Sequence, residues 1–153
     1  MIEQRKFKSV NPATGETIEE FDFATEEEAS ETIAGARSAF QLWQKKDVSE
    51  RTGYLVKVAE KLTERKHDFA KVITLEMGKP IKESLAEVEK CAWALNYFAS
   101  NAKEMLEDQI IKTEASKSYV AFEPLGTIFT IMPWNFHSGK LFVAQLQHLQ
   151  LET

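Results

Sequence analysis

The residues whose types are best suited to ligand binding or catalysis lie where an apolar run ends. Thr127 to Met132 is apolar with two β-branched isoleucines, and Pro133, Trp134 and Asn135 follow it directly. In open α/β sheets, ligands bind outside the carboxyl ends of the strands. A proline there stops strand pairing, a tryptophan offers a flat apolar wall, and an asparagine amide can donate a hydrogen bond. The residues therefore predict a ligand site at a strand end, although an ordinary turn would suit them equally.

The other reactive residue types form no recognisable site. Cys91 is the single cysteine and falls in the middle of a predicted helix, where a thiol is usually a small buried apolar group. We therefore do not expect it to be a nucleophile. No glycine-rich phosphate loop is present. The histidines lack the clustered spacing of a zinc site, so we expect no metal; they are His67, His137 and His148.

Length and composition limit the function classes. The chain has 153 residues and a formal net charge of −5, with no basic run for nucleic acid or an anionic membrane surface. No apolar stretch approaches the roughly 20 residues that span a bilayer. Residues 1–6 lack the apolar run of a signal peptide. One cysteine excludes an internal disulfide and suits a reducing compartment, so we predict a cytoplasmic protein.

Four helices are predicted to precede the apolar run. Residues 7–24 should be extended around a turn at 11–15, with a strand from Thr17 to Phe23. Thr25 and Glu28 form a capping box that predicts a helix start. The apolar stripe of this first helix is Ala29, Ile33, Ala36, Phe40 and Trp43.

The next three helices are predicted from the same signals, which are capping residues and apolar spacing. Ser49 predicts the cap of the second, the third starts near His67, and Gly78 and Pro80 end it. The inward positions of these two helices are Leu55, Val58 or Ala59, Leu62, Phe69, Val72, Ile73 and Met77. The fourth runs from about Pro80 to about Leu106. Its predicted inward face is Ile81, Leu85, Val88, Ala92, Leu95 and Ala99, and its predicted solvated face holds Glu83, Glu87 and Lys90.

Strand patterns follow the helices. Ile110–Ile111 and 119–122 predict two strands, and the run from Thr127 to Met132 predicts a strand buried on both faces of a parallel sheet. Helices followed by such a strand indicate an α/β fold.

These motifs together resemble the aldehyde dehydrogenase superfamily, whose members carry Pro-Leu-Gly-x-x-x-x-Ile-x-Pro-Trp-Asn-Phe-Pro. Residues 124–136 match that pattern except for its last position. Residues 11–16 resemble the family's early turn, and residues 75–80 resemble its Glu-x-Gly-Lys-Pro stretch, which Glu87-Val88 continues. The resemblance covers about residues 8–136. Residues 91–93 and 116–120 are similar to the branch that oxidises succinate semialdehyde.

The resemblance implies a fold, a reaction and partners. Residues 1–136 would be the N-terminal helices and first strands of an incomplete Rossmann-like NAD(P)-binding domain, with oligomerisation-arm strands at about 108–125. The reaction would be oxidation of a small-molecule aldehyde to the acid with NAD or NADP. Asn135 would help hold the oxyanion, a contribution of about 2.7–4 kcal/mol to the barrier. The residues implied to line the cofactor cleft are Ile131, Met132, Pro133 and Trp134.

Residues 137–153 depart from the family, beginning with His137 where the family has proline. One choice of synonymous codons for this tail, read from its third base, encodes Phe-Trp-Gln-Val-Ile-Arg-Cys-Ala-Ala-Pro-Ala-Leu-Ala-Ala-Gly-Asn, which closely matches the family's continuation. We hypothesise a single-base loss after Phe136 and an early stop. The alternative is a divergent amphipathic tail with Phe142, Leu146 and Leu149 on one helical face.

Three hypotheses about function follow. The family's nucleophilic cysteine, general-base glutamate and remaining cofactor contacts would all lie beyond residue 153, so the chain would be an inactive fragment whose own cofactor binding is doubtful. It could instead associate with intact subunits through its arm strands, or be a gene remnant without a role. In a fragment, the strand from Thr127 to Met132 would lose its neighbours and expose apolar faces, which favours aggregation.

Overall fold

The structure, a computed structural model, describes residues 6–131. These residues form two separate β-hairpins and four α-helices. In chain order the elements are β1 (Lys6–Val10), β2 (Thr17–Asp22), α1 (Glu26–Trp43), α2 (Val48–Glu64), α3 (Lys66–Met77), α4 (Ile81–Met105), β3 (Gln109–Ile110) and β4 (Tyr119–Val120). These helices and strands confirm the predicted mixture of α and β elements.

The first hairpin confirms the extended region and its turn. β1 and β2 pair antiparallel, with Lys6 opposite Asp22. At the turn, the Gly15 amide donates to the Asn11 carbonyl at 2.8 Å, and the φ of Gly15 is +75°. Positive φ is a conformation that glycine adopts without a steric cost. The hairpin contacts the helices through the Ser9 hydroxyl, which donates to the Glu76 carboxylate at 2.7 Å.

Helix α1 begins as its sequence predicts. The Thr25 hydroxyl accepts from the Glu28 amide, and the Glu28 carboxylate accepts from the Thr25 amide. This reciprocal pair satisfies two of the amide groups that a helix start leaves unpaired. The predicted apolar stripe, however, is not buried: no residue of α1 is buried, and Ile33 is 58% exposed.

The core lies where α4 packs between α2 and α3. Its buried apolar members are Ala59, Leu62, Ala70, Ile73, Val88, Cys91, Ala92 and Leu95. Alanine at three of these positions lets the helix backbones approach closely, because a methyl group is the shortest apolar side chain. Burying the larger members removes apolar surface from water at roughly 25 cal/mol per Å². Ala59, and not its alternative Val58, is the inward residue of α2.

Several predicted positions are wrong in detail. α2 starts two residues earlier than predicted, at Val48, and its N-cap residue is Asp47, with an extended backbone and no side-chain cap bond. Ser49 therefore lies inside the first turn. Val72 and Ile81 are exposed and not inward. Each is apolar at helical spacing, but α4 and α3 meet along neighbouring positions instead.

The junction between α3 and α4 encloses polar side chains. Gly78 ends α3 with φ +69°, as predicted, and Pro80 is the N-cap residue of α4. The Glu87 side chain, predicted to be solvated, is only 1% exposed and pairs with Lys79 at 2.7 Å. The Ser84 side chain is also buried and shares a 2.9 Å hydrogen bond with Thr74. These bonds offset the cost of burying polar groups on this face of α4.

The residues after α4 form a short hairpin and an extended segment. β3 and β4 pair antiparallel, with Gln109 opposite Val120, which confirms strands in both predicted regions at shorter lengths. Residues 127–131 form no strand, so the predicted buried strand is wrong for this part of the run. No strand of the described region lies beside them to accept their backbone hydrogen bonds. Met132 lies outside the described residues.

Across residues 6–131, none of the helices combines the length and the apolar character required to cross a membrane.

Candidate functional site

The segment that leads into the predicted site runs beside α1. Gly126 has φ +98°, which disfavours any residue with a side chain. A Cβ placed on Gly126 would lie 3.9 Å from Cε1 of Phe40. The Pro-Leu-Gly turn therefore lies next to Phe40, a member of the apolar stripe of α1.

Most of this segment is exposed. Phe122, Gly126 and Ile128 are half-buried, whereas Phe129 is 86% exposed and Ile131 is 83% exposed. Thr130 between them is exposed as well. The outward face is apolar and uncovered by the described residues.

Of the five predicted site residues, one lies within the residues that the structure describes. Ile131, implied to line the cofactor cleft, is exposed at the end of the described region. Met132, Pro133, Trp134 and Asn135 lie outside the described residues, so the proposed oxyanion donor and cofactor wall stay predictions.

Cys91 is a buried residue of the helical core. It lies in α4 with 3% of its surface exposed, packed within the helical core. An aldehyde would have to enter that core to reach the sulfur. This placement confirms the prediction that Cys91 is structural.

The pKa values that shift belong to surface charges. Accepting a hydrogen bond from Lys66 lowers the pKa of Glu89, and Lys61 lowers that of Glu64 in the same way. Lys8 lowers the pKa of Glu20 through its hydrogen bond and charge. The hydrogen bond to Glu50 raises the pKa of Lys46. All are exposed pairs at the protein surface, which indicates local stabilisation of charge.

Two shallow depressions lie on the described helical body. A shallow depression of about 450 Å³ is lined by Ala59, Glu60, Thr63, Glu64 and Asn96. A second, of about 380 Å³, is mostly apolar and is lined by Tyr54, Lys57, Val58, Lys61, Leu62 and Phe69. Neither contains a thiol, and neither adjoins residues 123–131. Within the described region, no three His, Cys, Asp or Glu side chains group as a metal site would require.

Comparison with known proteins identifies the family. The family model described as "Aldehyde dehydrogenase family" matches residues 1–144. This chain belongs to the aldehyde dehydrogenase family. The match covers nearly the whole sequence, and it includes both the Gly-Lys-Pro junction and the Pro-Trp-Asn segment.

Two relatives of this aldehyde dehydrogenase chain are named for the same activity. It is 38% identical over 134 residues to a probable succinate-semialdehyde dehydrogenase (NADP+) of Synechocystis sp., covering 88% of this chain and 30% of that protein. It is 37% identical over 133 residues to the succinate-semialdehyde dehydrogenase (NADP+) of Deinococcus radiodurans, covering 87% and 28% respectively. The chain thus spans less than a third of the length of these relatives.

Comparison with solved structures points to the same family. A crystal structure of succinic semialdehyde dehydrogenase from Streptococcus pyogenes, in complex with NADP+, superimposes with a TM-score of 0.90 at 26% identity. The superposition covers 95% of this chain and 32% of that one. The described elements therefore correspond to one part of a larger family fold.

Proposed function

We propose that this chain is the amino-terminal part of an NAD(P)-dependent aldehyde dehydrogenase for succinate semialdehyde. The observation that carries the proposal is its 38% and 37% identity to relatives with that named activity. The sequence features that support it are the Pro-Leu-Gly turn and the Pro-Trp-Asn segment in family order. The preference between NAD and NADP stays open, and the cytoplasm stays the predicted location.

The proposed roles concern orientation and charge. The side-chain amide of Asn135 would donate a hydrogen bond to the aldehyde oxygen as negative charge develops there. Ile131 is exposed, so its side chain is free to form part of an apolar wall against the nicotinamide cofactor. Met132, Pro133 and Trp134 would continue that wall. The chemistry that NAD(P)+ supplies when bound is acceptance of a hydride.

We also propose that the chain alone does not oxidise aldehydes. Family chemistry needs a thiolate that attacks the aldehyde carbon, and Cys91 is the one cysteine of the sequence. Burial in the α4 core keeps that thiol from substrate.

An assay of the purified chain tests this proposal. Succinate semialdehyde with NAD+ or NADP+ should give no NAD(P)H absorbance, whereas the intact Synechocystis relative, as positive control, should give a steady rate. Cys91→Ser should leave the baseline unchanged. Turnover by the chain that disappears in Cys91→Ser would show that this thiol works and would overturn the assignment.

We propose further that residues 137–153 are family sequence translated in a shifted frame. The support is that a synonymous back-translation of the tail contains the family's continuation in another frame, directly after Phe136. Sequencing the gene tests this proposal: once one base is restored after the Phe136 codon, the DNA should encode Pro-Phe-Trp-Gln. An alternative frame without family sequence would leave the divergent amphipathic tail as the explanation.

A second candidate function is association with intact subunits through the arm. The side chains of Ile110, Ile111, Tyr119 and Val120 are all exposed on the short hairpin of β3 and β4. Such a two-stranded edge can accept a further strand. Co-purification of the chain with an intact family member would support this candidate, and failure to co-purify would contradict it.

A further inference from the structure

A groove on the helical body combines an apolar floor with a positively charged edge. It has a volume of about 380 Å³, and its lining comes from α2 and the first turn of α3: Tyr54, Lys57, Val58, Lys61, Leu62 and Phe69. We call it the α2–α3 groove. Pockets that hold small organic ligands measure roughly 300–1,000 Å³, so a small ligand suits this volume.

The floor of the α2–α3 groove is continuous with the core. Tyr54, Val58 and Leu62 follow one another at intervals of four along α2, which places them in one row on the helix surface. Leu62 belongs to the core, and Phe69 packs against that core. Val58 is 40% exposed, so the middle of the row faces solvent. The row is roughly 12 Å long, because eight residues of helix rise about 1.5 Å each.

A row of cations runs beside the apolar row. Lys57, Lys61 and Arg65 also follow at intervals of four, each three positions after a member of the apolar row. Nζ of Lys57 lies 5.5 Å from the centre of the Tyr54 ring, and Cζ of Arg65 lies 5.3 Å from that of Phe69. An anionic group at this edge would therefore meet a cation while its apolar body lies on the floor.

The charges of this row leave one cation without an ion pair. Lys61 pairs with Glu64 at 2.5 Å, and Arg65 pairs with Asp68 at 3.1 Å. Within residues 6–131, no carboxylate lies within ion-pair distance of Lys57. A single uncompensated positive charge complements a monoanion better than a phosphate or a dicarboxylate.

The aromatic rings of the groove favour an aliphatic ligand over a planar one. The Tyr54 ring already has two cations near it, because Nζ of Lys46 lies 5.6 Å from its centre in addition to that of Lys57. A planar aromatic ligand would have to displace a cation in order to stack on that ring. An alkyl chain needs only apolar contact along Val58 and Leu62, and it gains in proportion to the area removed from water.

We propose that the α2–α3 groove binds an aliphatic monocarboxylate of the fatty-acid class. The alkyl chain lies along Tyr54, Val58 and Leu62, and the carboxylate accepts hydrogen bonds from the ammonium group of Lys57. Hydrogen bonds between two charged groups are roughly twice as strong as those between neutral ones. Such binding involves no reaction, so it is independent of the proposed oxidation of succinate semialdehyde.

Isothermal titration calorimetry on the purified full chain tests the proposal. The probe is octanoate, and we expect saturable binding of one molecule per chain. 1-Octanol has the same chain length without the charge, so it should bind about ten-fold more weakly, because it forgoes the charge-assisted bond to Lys57. Benzoate has the charge without the alkyl chain and should bind more weakly than octanoate.

Two valines of α2 provide a matched pair of variants for the floor. Val58 lines the groove and is 40% exposed, whereas Val56 is 37% exposed and does not line it. Val58→Glu should lower the affinity for octanoate about ten-fold or more, because it places a like charge on the apolar floor. Val56→Glu adds the same charge to the same helix and should leave the affinity unchanged. Circular dichroism should show both variants folded.

Two exposed lysines separate the contact from the net charge. Lys57→Gln should lower the affinity for octanoate about five-fold or more and leave that for 1-octanol unchanged, because only the acid uses the ammonium group. Lys90→Gln removes the same charge from α4, outside the groove, and should change neither affinity. If Val58→Glu does not fold, this second pair of variants decides.

The opposite results would each overturn the proposal. They are the absence of saturable octanoate binding, equal affinities for octanoate and 1-octanol, and equal losses in the two members of a matched pair. Tighter binding of benzoate than of octanoate would identify an aromatic anion as the preferred ligand and would also contradict it.

Discussion

Gly78 combines two constraints at one residue. Its φ of +69° lies in the left-handed region, and a Cβ there would lie 2.9 Å from Cγ of Pro12. We predict that Gly78→Ala lowers the free energy of unfolding by more than the roughly 1–2 kcal/mol of left-handed backbone strain alone. Urea denaturation followed by circular dichroism measures the loss.

A Pro12→Ala variant separates the steric contact with Pro12 from the strain of the left-handed backbone. Pro12→Ala removes Cγ while keeping the Gly78 conformation, so Gly78→Ala should cost less there than in the original chain. Identical costs in the two backgrounds would mean that the hairpin moves away freely and that only the backbone conformation matters.

Lys79 and Glu87 form a pair in which the carboxylate is the deeper partner. The Glu87 side chain is 1% exposed and that of Lys79 is 22% exposed. We predict that Lys79→Met destabilises the chain by about 3 kcal/mol, because it leaves a buried carboxylate without its cation. Thermal unfolding at neutral pH measures this.

The double variant Lys79→Met with Glu87→Met is the control. Replacing both members of a buried pair with apolar side chains often restores stability. A double variant no more stable than the single one would show that Glu87 has a role in packing that its charge does not explain.

At the scale of elements, α1 is held by its own cap more than by its neighbours. The pKa of Glu28 is lowered because its carboxylate accepts hydrogen bonds from the Thr25 backbone amide and hydroxyl. A lowered pKa in the folded state means that the contribution is present at neutral pH and is lost as pH falls through that pKa. We predict that hydrogen-exchange protection in the first turn of α1, corrected for intrinsic rates, declines on acidification while the helical core stays protected.

Two variants examine the cap. Glu28→Gln should remove the acid response, since glutamine still accepts the bond but does not titrate in this range. Glu31→Gln, outside the cap on the same helix, should keep the response. Thr25→Ala should lower first-turn protection about five-fold at neutral pH, because a lost N-cap is worth about 1 kcal/mol. Simultaneous loss of core protection would contradict local opening.

On the scale of the whole molecule, the chain exposes surface that its fold is suited to bury. Phe129 and Ile131 are exposed on a segment that pairs with no strand of the described region. We predict that the purified chain self-associates in a concentration-dependent way, and that Phe129→Lys combined with Ile131→Lys shifts it towards monomer. Sedimentation velocity measures the distribution.

Thr130→Lys is the matched comparison, since Thr130 is also exposed in this segment and the change adds a charge without removing an apolar side chain. Equal rescue by Thr130→Lys would assign the effect to net charge and not to the two apolar residues.

Local chemistry made much of this protein predictable. The α1 start at Thr25, the α3 end at Gly78 and the turn at Gly15 each depend on groups within a few residues, so the sequence alone located them. Family membership was equally accessible, because the Pro-Leu-Gly and Pro-Trp-Asn pattern is carried by consecutive residues. The roles of Asn135 and residues 132–134 stay predictions, because the described residues stop at Ile131.

Only the tertiary structure decided which surfaces meet. On α4 the buried face is Ser84, Glu87, Val88, Cys91, Ala92 and Leu95, rotated from the purely apolar stripe predicted around Leu85 and Ala99. Lys79 makes that possible, since a carboxylate can be buried where a cation from the preceding turn meets it. Likewise, apolar spacing marked α1 and residues 127–131 for burial, but burial needs a partner surface. The described chain provides that surface for α4 and not for α1.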